Sequence, residues 1–263
     1  MYNDVNIIDN NNNNNSNISN FNLNSNPNSP YLNNKIDPCS VRMQSIKVFP
    51  GHLRAVTAID IHPKKEILVT TSNDKTWRLW KFPNGEPLML GEGHKEWLTD
   101  ANFHPDGVLL ATSSGDSTVK IWNILKQSCI HTIVDQAQPI WKCKFHMGGD
   151  FLLTACMDHN IRLYDMNNNK CRMSYRAHLD SVNSINFLNN KDIDWNMFLS
   201  ASADKTSSLW DMRSNMCVQT YYGHKNAVNF CKGSYGSTGI NQIVSCDTDG
   251  VVKVWDKRNA KEL

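Results

Sequence analysis

The stretch from Gly93 to Asn123, GHKEWLTDANFHPDGVLLATSSGDSTVKIWN, decides how the rest of the chain is read. It brings a histidine (His94), a serine (Ser114), an aspartate (Asp116) and a tryptophan (Trp122) into one supersecondary unit. His, Ser and Asp are also the parts of a hydrolytic triad, so the stretch is either a catalytic kit or part of a frame. Its apolar segments are short and punctuated. "LTDANF", "VLLATSSGD" and "TVKIW" each read as a strand, separated by Pro-Asp-Gly and Gly-Asp turn signals. "SCIHTI" supplies a fourth, outer strand. No sustained 3.6-residue period runs through the stretch, which argues against a helical repeat.

The same residues return at a fixed distance. His52 to His94 is 42 residues, as is Trp80 to Trp122, and each His precedes its Trp by 28. A period in the low forties with four short strands per unit points to a propeller of four-stranded blades. Five units follow in order, near residues 51–81, 93–123, 135–165, 177–211 and 223–256. The fourth carries extra residues in "NNKDIDWNM", as a loop tolerates. The fifth has no outer strand of its own, whereas "QSIKVF" ahead of the first unit reads as an outer strand without a blade. The expected fold is all-β, with five blades standing as an open arc; the alternative is a closed five-bladed ring in which that leading strand completes the last blade. Unpaired edges and apolar end faces are then expected to favour self-association.

Recurrence also answers the catalytic question. His52, Ser72, Asp74 and Trp80 form one set; His94, Ser114, Asp116 and Trp122 the next; His178, Ser202, Asp204 and Trp210 a third; His224, Asp249 and Trp255 a partial fourth. A triad is needed once per substrate site, so a group present once per unit serves the unit. The expected chain of bonds runs from Asp in the turn to His, from His to the Ser hydroxyl, and from there to the indole N–H. The third unit keeps only Asp158, with Gln136, Cys156 and Tyr164 at the other places, and is expected to be the least rigid.

Gly-His at 51–52, 93–94 and 223–224, the turn Asp, and Trp-Asp at 210–211 and 255–256 resemble the signature of the WD-repeat family. The resemblance covers residues 44–263 and implies a β-propeller without catalytic activity that serves as a platform for protein assembly. "HLDSVNSINF", "SASADKTSSLWD" and "VSCDTDGVVKVWD" further resemble WD-repeat proteins of the central apparatus of motile cilia and flagella. That resemblance implies an axonemal scaffold in cytoplasm or cytoskeleton, with axonemal or microtubule-associated partners. Those relatives have seven repeats, so this arc is read as part of a seven-bladed type, and the end at "DKRNAKEL" as that of a truncated product. The alternative on the same fold is an adaptor, such as a ubiquitin-ligase substrate receptor or a regulatory subunit of a microtubule-severing complex.

Composition narrows the partners. The net charge of +2 gives no polybasic surface for nucleic acid or membrane. No apolar run approaches the ~20 residues of a membrane span. The eight cysteines form no C-x-x-C pair and read as reduced, several of them buried, in an intracellular chain. No metal or cofactor is expected: His62, His104 and His146 recur 42 residues apart and so fall on different blades. Residues 1–40 are dominated by Asn and read as a disordered tail ahead of the propeller at 41–263.

The residues after each Gly-His are the expected partner face: Arg54, Glu96, Trp97, Gln138, Trp141, Asp180, Asn183, Asn226 and Asn229. Trp97 and Trp141 stand out, because other units place Ala, Ser, Thr or Asn there and Trp is favoured at interface hot spots. The competing reading packs both indoles between blades.

Overall fold

The computed structural model describes residues 47–176, 178–188, 195–233 and 242–257. The proposed tail and the first part of "QSIKVF" therefore lie outside the described residues. The first blade is a meander of β1 (Val56–Ile61), β2 (Ile67–Ser72), β3 (Trp77–Lys81) and β4 (Glu86–Gly91). The second is β5 (Leu98–Phe103), β6 (Leu109–Ser114), β7 (Val119–Asn123) and β8 (Ser128–Ile133). The third is β9 (Ile140–Phe145), β10 (Phe151–Cys156), β11 (Asn160–Asp165) and β12 (Lys170–Arg176). The fourth is β13 (Val182–Phe187), β14 (Met197–Ser202), β15 (Thr206–Asp211) and β16 (Cys217–Tyr222). Among the described residues the fifth has three strands, β17 (Val228–Gly233), β18 (Gln242–Asp247) and β19 (Val252–Asp256). Every pairing is antiparallel, as short connections require.

Blades one to four bury both faces of their second strand, whereas β18 of the fifth leaves Val244 exposed, and the core lies between blades. Val69, Trp77 and Leu79 of the first blade pack on Leu98, Ala101, Phe103 and Leu110 of the second. The other junctions repeat the arrangement, down to Leu199, Leu209 and Tyr221 against Val228, Cys231, Ile243 and Trp255. Trp77, which takes the place of Val119 and Ile161, belongs to this core. It meets Trp122 edge-on at 5.3 Å between ring centres.

The two ends differ from the junctions at equivalent positions. Leu98, Ala101 and Phe103 on β5 are 0, 0 and 5% exposed. Their counterparts on β1, Val56, Ile59 and Ile61, are 56, 63 and 64% exposed. On the fifth blade the face turned away from the fourth leaves Phe230 40% and Val252 62% exposed. These outward-facing side chains of blades one and five are thus exposed, as in an arc. The expected edge strand is corrected in part: Lys47–Pro50 form no strand, and Phe49 stacks on Trp80 of the first blade at 5.9 Å.

Two local devices aim side chains toward the site. A register shift in every blade puts a bulge between the first and second strands, at Val56/Ala58, Leu98/Asp100, Ala155/Cys156, Val182/Ser184 and Val228/Phe230. Such a bulge re-aims the extra residue. The turn after the second strand places the residue beyond its Asp at positive φ: Lys75, Ser117, His159, Lys205 and, in the fifth blade, Gly250.

Candidate protein-interaction face

In the first blade His52 Nδ1 lies 2.9 Å from Asp74 Oδ2, and His52 Nε2 lies 2.8 Å from Thr70 Oγ1. The Trp80 indole donates to the same Thr70 oxygen at 2.8 Å. The second blade repeats this with His94, Asp116, Thr112 and Trp122. The fourth does so with His178, Asp204, Ser200 and Trp210. The fifth uses His224, Asp247, Ser245 and Trp255. Asp–His–hydroxyl order is the order of a nucleophile relay. Here the hydroxyl is buried and already accepts an indole N–H, so no substrate atom reaches it. The bonds join the approach to the first strand, the second strand, the third strand and the turn of one blade. Burial alone would raise the carboxyls of Asp74, Asp116 and Asp204. Hydrogen bonds from His, Thr and backbone N–H outweigh it and hold all three well below the ordinary carboxylate range.

The structure corrects the hydroxyl. Ser72, Ser114 and Ser202 are not the bridge between His and Trp; Thr70, Thr112 and Ser200 are. Both positions lie on one face of the second strand, two residues or roughly 6.6 Å apart. The indole of the third strand reaches only the earlier one. Ser72, Ser114 and Ser202 instead accept the N–H of the turn Asp at 3.1 Å and donate to carbonyls of the chain after Gly-His. In the fifth blade Asp247 rather than Asp249 holds His224, while Asp249 accepts from Asn226. The third blade rebuilds its lock. Gln136 Nε2 donates to Thr154 and to Tyr164, and the Tyr164 hydroxyl donates to Asp135 at 2.6 Å. Arg162 clasps Asp158 at 2.6 Å, and Cys156 stands where the caging Ser does elsewhere. The expected looseness of this blade therefore loses its basis.

Above these locks lie the residues that follow each Gly-His. Arg54, Glu96, Gln138, Asp180 and Asn229 are exposed. Trp97 is 37% exposed and lies over Gly115, where an added Cβ would sit 2.4 Å from its ring. Trp141 and Asn183 belong to the bulges and turn into the next junction. The Trp141 indole donates to Ser181 at 2.9 Å and Asn183 Nδ2 to the Val228 carbonyl at 3.0 Å. They tie blades together, which corrects their placement among partner residues. Trp97 is the aromatic left on the open face of that set.

The WD domain, G-beta repeat family matches the chain five times, over residues 43–81, 85–123, 127–165, 169–211 and 215–256. The chain belongs to the WD-repeat family. Its five repeats supply a protein-interaction scaffold, the general role of WD repeats, which are as a rule non-catalytic. The chain is also similar to the flagellar WD repeat-containing protein Pf20 of Chlamydomonas reinhardtii, 45% identical over 65 residues. That match spans 24% of this chain and 11% of the relative.

Between WD repeats runs a second set of bonds that the sequence reading did not assign. His62 Nε2 donates to the Gly107 carbonyl of the next blade at 3.0 Å, while its Nδ1 accepts the N–H of Lys64 and Lys65. His104 does the same to Gly149, and His146 to Trp195. Each imidazole is thus bonded at both nitrogens, and His104 Nδ1 also lies 2.8 Å from Asp106 Oδ1. Each also packs on an aromatic of the next blade, Phe103, Phe145 or Phe187. The regular 42-residue recurrence of His62, His104 and His146 was the available signal. No group of three His, Cys, Asp or Glu among the described residues is arranged to hold a metal ion.

Proposed function

We propose that the chain is a non-catalytic structural component of the ciliary or flagellar axoneme, part of the central apparatus involved in motility, with axonemal or microtubule-associated proteins as partners. The observation that carries this is the similarity to a flagellar WD-repeat protein. The resemblance of "HLDSVNSINF" and "SASADKTSSLWD" to the WD-repeat half of sperm-associated antigen sixteen agrees with it. The repeated locks serve the scaffold, so activity rests with the exposed face. Arg54, Glu96, Trp97, Gln138 and Asp180 are the residues assigned to partner contact. A hot spot combines a half-buried aromatic with a polar surround, and Trp97 beside Glu96 and the Lys75–Glu96 pair at 3.7 Å fits that description.

Purified chain incubated with salt-stripped axonemes tests the reading. The chain is expected to co-sediment with them, and Trp97→Ala to weaken binding at least tenfold while the far-ultraviolet circular dichroism stays unchanged. Equal binding by wild type and Trp97→Ala would remove the assigned face. No binding by folded wild-type chain would remove the axonemal assignment.

A further inference from the structure

We propose that a cavity on the fourth blade binds the acidic side chain, carboxylate or phosphoester, of an extended partner segment. The position two residues ahead of the third-strand Trp or Tyr is basic in four blades: Arg78, Lys120, Arg162 and Lys253. In the fourth blade it is Ser208. Elsewhere the long side chain lies along its own blade. Lys120 Nζ donates to the Thr132 hydroxyl of β8 at 3.1 Å, Arg162 clasps Asp158 at 2.6 Å, and the Lys253 ammonium stands over the Trp255 ring at 5.7 Å. Register makes Thr220 of β16 the counterpart of Thr132, and its hydroxyl lies 3.2 Å from that of the short Ser208. A cavity of about 510 Å³ opens at that place, lined by Ser208 and Thr220 together with Arg176, Lys205 and Tyr222.

The charges around the cavity select the ligand. Arg176 ends β12, and Lys205 stands in the turn between β14 and β15 at φ +73°. No carboxylate among the described residues lies within ion-pair distance of either. Lys75, the counterpart of Lys205 in the first blade, pairs with Glu96 at 3.7 Å. In the fifth blade the place of Glu96 is taken by Asn226, whose amide goes to Asp249. Asp204 is the carboxylate in the cavity wall. Its oxygens already meet His178, the Leu179 N–H, and the Thr206 N–H and hydroxyl. Four donors fill its acceptor sites, so it has none left for an incoming cation. Two side-chain cations outweigh its single charge. An oxyanion entering here meets a guanidinium and an ammonium above hydroxyl groups, the setting in which charge-assisted hydrogen bonds form. Tyr222, 74% exposed at the rim, gives the flanking chain an aromatic ring to lie on. Trp97 stands on the second blade, so this site is separate from the partner face assigned above.

Nuclear magnetic resonance on the full 263-residue chain tests this. Backbone N–H signals are followed while a peptide Gly-Gly-X-Gly-Gly is added, with phosphoserine, glutamate or serine as X. The phosphoserine or the glutamate peptide is expected to shift the signals of Lys205, Ser208, Thr220 and Tyr222 to saturation, and the serine peptide to leave them in place. Which acidic peptide saturates at the lower concentration tells phosphoester from carboxylate. Ser208→Lys puts into the cavity the side chain that the second blade carries, and is expected to abolish the shifts while the circular dichroism stays unchanged. Arg176→Gln, at an exposed position, is expected to weaken binding about tenfold or more, as loss of one charge-assisted hydrogen bond does. No saturable shift with either acidic peptide, or equal shifts with the serine peptide, overturns the proposal. Undiminished binding by either folded variant also overturns it.

Discussion

Replacing Thr112 by Val removes one hydroxyl that serves two buried partners. The Trp122 indole N–H and His94 Nε2 both lie 2.8 Å from Thr112 Oγ1, which has no exposed surface. Valine keeps the shape and withdraws the bonds. A buried donor left bare costs about 1–3 kcal/mol, and the lost bond to His94 adds roughly 1 kcal/mol, for a total near 2–4 kcal/mol. Ser114→Ala removes an equally buried hydroxyl that serves the turn rather than the indole. The Trp97 carbonyl it leaves still accepts from the Gly115 N–H at 2.9 Å, so the loss is expected at about 1 kcal/mol. Because repeat arrays open locally, native-state hydrogen exchange on β6 and β7 is the assay. Thr112→Val is expected to lower protection there by roughly 30- to 700-fold, at a factor of ten per 1.4 kcal/mol. Thr112→Ser is expected to restore most of it. If Ser114→Ala costs as much as Thr112→Val, or Thr112→Ser fails to rescue, the lock is wrongly assigned.

Three further outcomes follow from the same geometry. In the third blade, β10 and β11 are expected to be as protected from exchange as β6 and β7, and Tyr164→Phe to lower that protection by about 1–2 kcal/mol through loss of the bond to Asp135. Gly107→Ala is expected to cost at least ~1–2 kcal/mol, measured as a shift in urea midpoint. Gly107 sits at φ +80°, and an added Cβ would lie 2.4 Å from the His62 ring, displacing the clasp between blades one and two. Burial holds His146 below its ordinary value of 6.5, so the unfolded chain binds the proton more readily. Its contribution to stability is full above about pH 6.5 and falls as pH drops below it. His146→Gln is expected to flatten that slope, whereas the low carboxyls of Asp74, Asp116 and Asp204 keep their contribution until pH falls below about 4.

The blades were legible because each strand is short and each unit repeats at one distance, so errors in one unit are corrected by the others. His52, Asp74 and Trp80 were legible for the same reason. The bridging hydroxyl was not: Thr70 and Ser72 recur together, two residues apart on one face, and only the reach of the indole separates them. Asp247 and Asp249 pose the same ambiguity in the fifth blade. Repetition alone cannot choose between two equally periodic positions. The clasps of His62, His104 and His146 end on backbone carbonyls of the next blade, which leave no side-chain mark in sequence. Trp141 read as a partner residue because a bulge, invisible to simple alternation, turns it into the junction with Ser181. The third blade looked broken because Gln136, Tyr164 and Arg162 rebuild by different chemistry what His and Trp do elsewhere.

The most direct test of the account is where the chain resides in a cell that bears a motile flagellum. The endogenous chain, tagged at its own locus, would be imaged after detergent extraction, with the size of the tagged band read on the same sample. A signal along the length of the axoneme that survives extraction is expected. A diffuse cytosolic or nuclear signal, lost with the detergent-soluble fraction, would contradict it.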